Sequence, residues 1–217
     1  MFEESRTEFL LRWYLYRWRK RNPRRVAERL FYKVMDDAPR HGVFVDLGAN
    51  FGLVTAKALE YGHKVYAFEP DPFPLSKLRQ RFGGNPNVEI IPKAIGATAR
   101  SAKLFRQPDV EIGAASEGSS LIETAVHADG ATVDIEVVDI VGFLRSLPAP
   151  PVAVKMDVEG AEAECLEAIL DAGLHRSIGM LLVETHDRFS PELAARLDAI
   201  RARIARERID NINLEWI

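Results

Sequence analysis

From residue 43 onward, hydrophobic and polar positions fall into two alternating periods. Short apolar runs rich in β-branched and aromatic residues are Val43–Leu47, Lys64–Phe68, Val88–Ile91, Val152–Met156 and Ile178–Val183. Between them lie amphipathic stretches with apolar residues three and four apart, at 54–61, 75–82, 161–172 and from Pro191 on. Continuous apolar runs of four to six residues predict strands buried on both faces, and strands alternating with helices predict βαβ units in a mostly parallel sheet. Punctuation agrees: Gly48, Gly62, Gly83-Gly84 and Gly173 follow the elements, and Ser190-Pro191-Glu192 supplies an N-cap, a first-turn proline and an acid. That last helix carries the stripe Leu193, Leu197, Ile200 and Ile204, and Asn213–Ile217 reads as a final strand.

The middle of the chain breaks this rhythm. Residues 107–131 are rich in Gly, Ala and Ser without a clear period, longer than an ordinary connection, which predicts a functional or mobile loop. Val133, Ile135 and Val137 then alternate with charged residues as in an edge strand, and Asp139 is placed to cap a short helix reaching Leu147.

Length and charge add a boundary. At 217 residues the chain fits one hydrophobic core, with an N-terminal helical extension over 1–40 and the main domain over 41–217. Residues 1–40 hold 11 Lys/Arg against 6 Asp/Glu out of totals of 29 and 32, so a basic leader precedes an acidic body. That balance argues against a nucleic-acid partner. In residues 1–22, Phe9, Trp13, Tyr14, Tyr16 and Trp18 are interleaved with Arg12, Arg17, Arg19, Lys20 and Arg21, which predicts self-association or a peripheral membrane contact. Apolar residues at 9, 10, 11, 13, 14 and 15 go round such a helix rather than down one face, and this favours protein contact. No apolar run has the length of a membrane span or a secretory signal, and the single cysteine, Cys165, permits no internal disulfide; a cytoplasmic protein is expected.

Candidate chemistry gathers at the carboxyl ends of the strands, where open α/β sheets bind ligands. Asp46-Leu47-Gly48-Ala49-Asn50-Phe51-Gly52 closes the first strand, with glycines where backbone must turn tightly or approach a ligand. Glu69-Pro70 ends the second strand about 20 residues on, where nucleotide-binding folds place an acid on a ribose diol. The middle glycine of a dinucleotide fingerprint is absent, its place taken by Asn50, so a phosphate-free ligand such as S-adenosylmethionine suits this loop better. Lys155-Met156-Asp157-Val158-Glu159-Gly160-Ala161-Glu162 brings three carboxylates to another strand end. Of these Asp157 is the best site candidate, and Glu162 is expected to serve the next helix as a first-turn acid. Glu184-Thr185-His186 follows the next strand, with His186 the lone histidine at such a position in this half.

Together these segments resemble the FkbM family of methyltransferases. The resemblance runs from Val43 to His186 through VFVDLGANFG, VYAFEPDP, IPKAIG, GSSL, VAVKMDVEGAE and LLVETH. The first two are shared by many class I methyltransferases, and K-x-D-V-E-G-A-E is the more specific. The resemblance implies a Rossmann-like three-layer α/β sandwich of class I methyltransferase type, with S-adenosyl-L-methionine at the carboxyl ends of the strands. It implies that Asp46, Gly48, Ala49, Asn50 and Gly52 hold the methionine part and that Glu69 and Pro70 meet the ribose. Ala94 or Ile95 would lie by the adenine, and Asp157 would face the reacting centre with Glu159 and His186 close by. Its members are assigned O-methylation of sugars and secondary metabolites, so a small-molecule or glycan hydroxyl is the expected acceptor. One departure is that the usual sheet ends in an antiparallel strand pair, whereas only Asn213–Ile217 is available after the long helix.

A hydroxyl acceptor needs its proton removed. His186 is the first candidate base, with Asp157 or Glu159 next. No metal is assigned, although Asp157, Glu184 and His186 are of ligand type. The rival readings are a non-catalytic cofactor-binding or scaffolding relative and, on the same fold, an oxidoreductase. The latter lacks the phosphate-type glycines, and its sole Tyr-x-x-x-Lys pair, Tyr16 and Lys20, precedes the first strand. A base-modifying N-methyltransferase would carry Asn/Asp-Pro-Pro-aromatic where Asp157-Val158-Glu159-Gly160 stands.

Overall fold

A computed structural model describes residues 23–107, 119–122, 127 and 130–216. The expectations for the leader, residues 1–22, and for most of the 107–131 loop therefore lie outside the described residues. The chain runs α1 (Pro23–Asp37), β1 (Val43–Leu47), α2 (Leu53–Glu60), β2 (Lys64–Phe68), α3 (Pro72–Phe82), β3 (Val88–Ile91), β4 (Ala94–Gly96) and β5 (Arg100–Phe105). It continues with β6 (Thr132–Asp139), α4 (Ile140–Ser146), β7 (Pro151–Met156), α5 (Glu162–Asp171), β8 (Leu181–Val183), α6 (Pro191–Glu207) and β9 (Ile212–Asn213).

Six strands form one sheet in the order β3-β2-β1-β7-β8-β9, every neighbouring pair parallel. Both faces are covered, and strand periodicity sorts the side chains between them. On one face Val43, Val45 and Leu47 of β1, Val154 and Met156 of β7, and Leu181 and Val183 of β8 pack with Ile140 and Leu144 of α4, Leu166 and Ile169 of α5, and Leu197 and Ile200 of α6. On the other, Phe44, Ala153 and Leu182 meet Ala27, Phe31 and Met35 of α1, Ala58 of α2, and Leu78 and Phe82 of α3. The result is the expected Rossmann-like three-layer sandwich.

The caps read from sequence are in place. Asp139 accepts from the Val141 and Gly142 amides at the start of α4, and Ser190 accepts from Leu193 N at the start of α6. The alternating segment is β6, which is not an edge: it is the middle strand of a separate three-stranded sheet, parallel to β4 and antiparallel to β5. Sequence patterning did not reveal β4 or β5. The strand expected over 178–183 is shorter, beginning at Leu181, because the 3₁₀ turn Leu174–Ser177 and the close approach of Gly179 to the Val152 carbonyl use the preceding residues. The last strand is Ile212–Asn213 rather than Asn213–Ile217, and it lies parallel to β8, with α6 as the crossover. Beyond it Trp216 N donates to Val183 O, while its indole lies 5.9 Å from the Phe31 ring and ties the chain's end to α1. Among the described residues, no helix is long and apolar enough to cross a membrane.

Candidate functional site

The carboxyl ends of β1, β2, β7 and β8 are neighbours in the sheet, so the four motifs that follow them converge by topology. The β1–α2 turn uses left-handed backbone at Gly48 (φ 76), Asn50 (φ 49) and Gly52 (φ 75). At Gly48 a side chain is excluded twice over. Its φ disfavours L-residues, and a Cβ would sit 1.8 Å from the Asp157 carbonyl oxygen. The first glycine thus lets the β1 loop touch the β7 loop, where Asp157 N also donates to Leu47 O at 3.0 Å.

Glu69 fastens the same turn to β2. Its Oε2 accepts from Asn50 N and its Oε1 from Asp71 N, both at 2.8 Å. Gly48 N and Ala49 N meanwhile donate to Phe68 O. Burial pushes the Glu69 carboxyl up to about 7, with the two amide donors opposing. Pro70 follows half-buried, and Ala49 is buried against the α1–α3 face.

Parallel pairing sets Asp46 directly beside Lys155. Both are buried, on the face shared with Phe44 and Ala153. Lys155 Nζ donates to Gly48 O at 2.5 Å and lies 3.7 Å from Asp46 Oδ1 and 3.4 Å from Asp157 Oδ2. Burial alone would lower the ammonium's pKa, but Asp157 and Asp46 outweigh it and hold Lys155 charged, with Glu69 adding to them. Asp46 Oδ2 accepts from Thr55 Oγ1 at 2.6 Å. Lys155 therefore links Asp46, Asp157 and the field of Glu69 in one crevice. Ala94 and Ile95 lie on β4: Ile95 is buried in the apolar cluster that holds Phe68, and Ala94 packs with Leu104, Ile135 and Val137.

After β7 the chain turns through Glu159 (φ 51) and Gly160 (φ 110). A non-glycine residue held at positive φ costs on the order of 1–2 kcal/mol, so the surrounding contacts must over-determine it. They do. Glu162, fully buried at the start of α5, accepts from Gly160 N with both oxygens and from Val158 N, and Ser120 Oγ donates to the Glu159 carbonyl. Glu162 Oε1 also lies 2.7 Å from His186 Nδ1. Its first-turn position was legible, but its larger part is to brace this loop and to orient His186.

His186 is completely buried after β8, and its Nε2 lies 3.1 Å from Glu159 Oε2, 3.8 Å from Asp157 Oδ1 and 3.9 Å from Glu184 Oε1. Burial opposes charge on the ring, but Glu159 and Glu162 outweigh it and carry its pKa up to about 10. Burial pushes Glu184 up to about 7 and also raises Glu159, against the pull of His186. The described part of the middle loop reaches both sides of the crevice. Ser119 Oγ donates to Asp71 Oδ2 at 2.6 Å, Arg106 makes a two-pronged contact with the same carboxylate at 2.9 and 3.1 Å, and Ser120 holds Glu159.

The structure thus brings together Asp46, Gly48, Asn50, Glu69, Asp157, Glu159 and His186. It adds Lys155, which sequence reasoning left without a role, Glu162, expected only as a first-turn acid, and Glu184, noted only as being of ligand type. Lys155 had left a signal: a charge inside the apolar run Val152–Met156 requires a buried partner.

Comparison with known proteins gives concordant results. A 190-residue stretch is 28% identical to the hexuronic acid methyltransferase AglP of Haloferax volcanii, covering 83% of this chain and 70% of that protein. A shorter stretch of 69 residues is 35% identical to a probable ribosomal RNA small subunit methyltransferase A of Methanococcoides burtonii, covering 31% of this chain and 26% of that one. No solved structure matches significantly. The FkbM methyltransferase domain matches residues 46–209, from the acid that opens the glycine turn to the end of α6 and beyond, and the chain belongs to this methyltransferase family.

Proposed function

We propose that the protein is an S-adenosylmethionine-dependent O-methyltransferase that acts on a sugar hydroxyl. The observation that carries this reading is the single unit formed by the glycine turn, Glu69 and Asp157 at the tips of β1, β2 and β7. Glu69 is bonded to the Asn50 amide, and Gly48 is pressed against the Asp157 carbonyl. The fit to the donor is one of shape and charge. A turn free of side chains suits an amino-acid moiety, a buried acid at a strand tip suits a ribose diol, and an acidic crevice favours a cationic sulfonium. The name of the Haloferax relative supports a sugar as the acceptor class.

When bound, S-adenosylmethionine supplies an activated methyl group for in-line displacement. The chain's own residues then have two tasks. The first is positioning: the β1 and β7 loops, locked by Lys155 and Glu162, fix the walls between which the acceptor oxygen is aligned, and alignment alone is worth several kcal/mol of barrier, about 7 or more in the best cases. The second is disposal of the hydroxyl proton. His186 is sealed behind Asp157 and Glu159, whose carboxylates are the partly exposed groups, so we assign that step to Asp157 or Glu159, with His186 as the group that positions them. A carboxylate in hydrogen-bond reach contributes on the order of 10²–10⁴-fold.

The test is transfer of isotopically labelled methyl from S-adenosylmethionine to a panel of neutral and uronic-acid glycosides. We expect label in a form stable to mild alkali, as a methyl ether is, and its loss in Asp157→Ala with the fold retained. Label released by mild alkali, which marks a carboxyl ester, or full turnover in Asp157→Ala would overturn the reading.

A further inference from the structure

The charge arrangement around His186 is unbalanced in a particular way. Among the described residues, the buried polar atoms of this crevice without a hydrogen-bond partner include His186 Nε2 and Asp157 Oδ1, which face each other across 3.8 Å. Glu159 Oε2 is 3.1 Å from the same Nε2 but is not aligned for a hydrogen bond. The other atoms of these groups are engaged: Asp157 Oδ2 faces Lys155, and His186 Nδ1 is taken by Glu162.

We propose that Asp157, Glu159 and His186 form a divalent-cation site, with Glu184 at its edge. One ligand atom from each of the three lies within 4.8 Å of the others. Ligands about 2.1 Å from a cation are separated by about 3 Å when adjacent and about 4.2 Å when opposite, so the observed 3.1 and 3.8 Å spacings fit a shared ion. Glu162 supplies the support such a histidine needs. A carboxylate on Nδ1 fixes the ring and its tautomer and directs the Nε2 lone pair at the metal. The mixed set of one imidazole and two or three carboxylates suits Mn²⁺ or a neighbouring transition ion better than Ca²⁺. The groups are also accessible, since the Asp157, Glu159 and Glu184 side chains are 27%, 18% and 24% exposed while the histidine behind them is sealed. In this arrangement the cation takes the place of the Nε2 proton, whose charge the same carboxylates otherwise stabilise.

The inference does not depend on which acceptor is methylated, and its test needs neither donor nor acceptor. Chelator-stripped full-length protein is titrated with Mn²⁺ while free Mn²⁺ is followed by electron paramagnetic resonance. We expect one saturable site, displaced by Zn²⁺, with affinity at least tenfold lower in Asp157→Asn and in Glu159→Gln at unchanged circular dichroism. Absence of saturable uptake by the wild type up to about 1 mM Mn²⁺, an affinity near 4 kcal/mol, would overturn the proposal. Wild-type affinity in both variants would do so as well.

Discussion

Replacing Lys155 by Met removes the ammonium that lies between Asp46 and Asp157. The ammonium lies 3.7 Å from Asp46 Oδ1 and 3.4 Å from Asp157 Oδ2. At an effective dielectric of about 20, each contact of that length is worth about 4 kcal/mol before desolvation. Removing a buried lysine recovers its own desolvation penalty of several kcal/mol but strands the partner, and the usual net cost is about 3–5 kcal/mol. The lower figure, about 3 kcal/mol, is expected here, because Asp46 keeps its bond to Thr55 and Asp157 is partly solvated. Urea unfolding of wild type, Lys155→Met, Asp46→Asn and the double variant at neutral pH measures it. The double variant should lose less than the sum of the singles by at least about 1 kcal/mol, since Asp46→Asn removes the stranded charge. Lys155→Met within about 0.5 kcal/mol of wild type, with additive singles, would refute the reasoning.

Gly48→Ala should cost more than about 2 kcal/mol and abolish donor binding, because its Cβ overlaps the Asp157 carbonyl, whereas Gly84→Ala, with nothing within 4 Å, should be nearly neutral; thermal unfolding and calorimetry compare them. The Asp187 carboxyl is held down to about 2, against an ordinary 3.8, by its hydrogen bonds to Arg201. A depressed folded pKa gives stability that is present above the ordinary value and lost as pH falls through about 2, so the stability gap between wild type and Asp187→Asn should close on acidification from about pH 5 toward pH 2.

Much of the sheet was legible because its interior strands are buried on both faces. The stretches 43–47 and 64–68 are mostly apolar runs, broken only by Asp46 and headed by Lys64, and their ends coincide with the observed β1 and β2, as those of the edge run 88–91 do with β3. The small sheet was only half legible. Its middle strand β6 alternates cleanly, whereas β4 is three residues long and β5, Arg-Ser-Ala-Lys-Leu-Phe, commits only Leu104 fully to the core. Shortness and edge position leave no periodic signal. Within the site, the glycine turn and Glu69 could be read because their backbone demands are local. Glu162 was read as a helix-start acid because its contacts with His186, 24 residues away, arise only when β7 and β8 pair. The pairing of Asp46 with Lys155, more than 100 residues apart in sequence, is likewise a product of strand order rather than of any local pattern.

Isothermal calorimetry with S-adenosylmethionine, on wild type and Glu69→Gln, bears most directly on the claim that the tips of β1, β2 and β7 form a methyl-donor pocket. Charge-assisted hydrogen bonds to a ribose are worth about 1.5–3 kcal/mol, so the account predicts one-to-one binding weakened at least about tenfold by the substitution. No heat at millimolar donor, or equal affinity in both proteins, would contradict it.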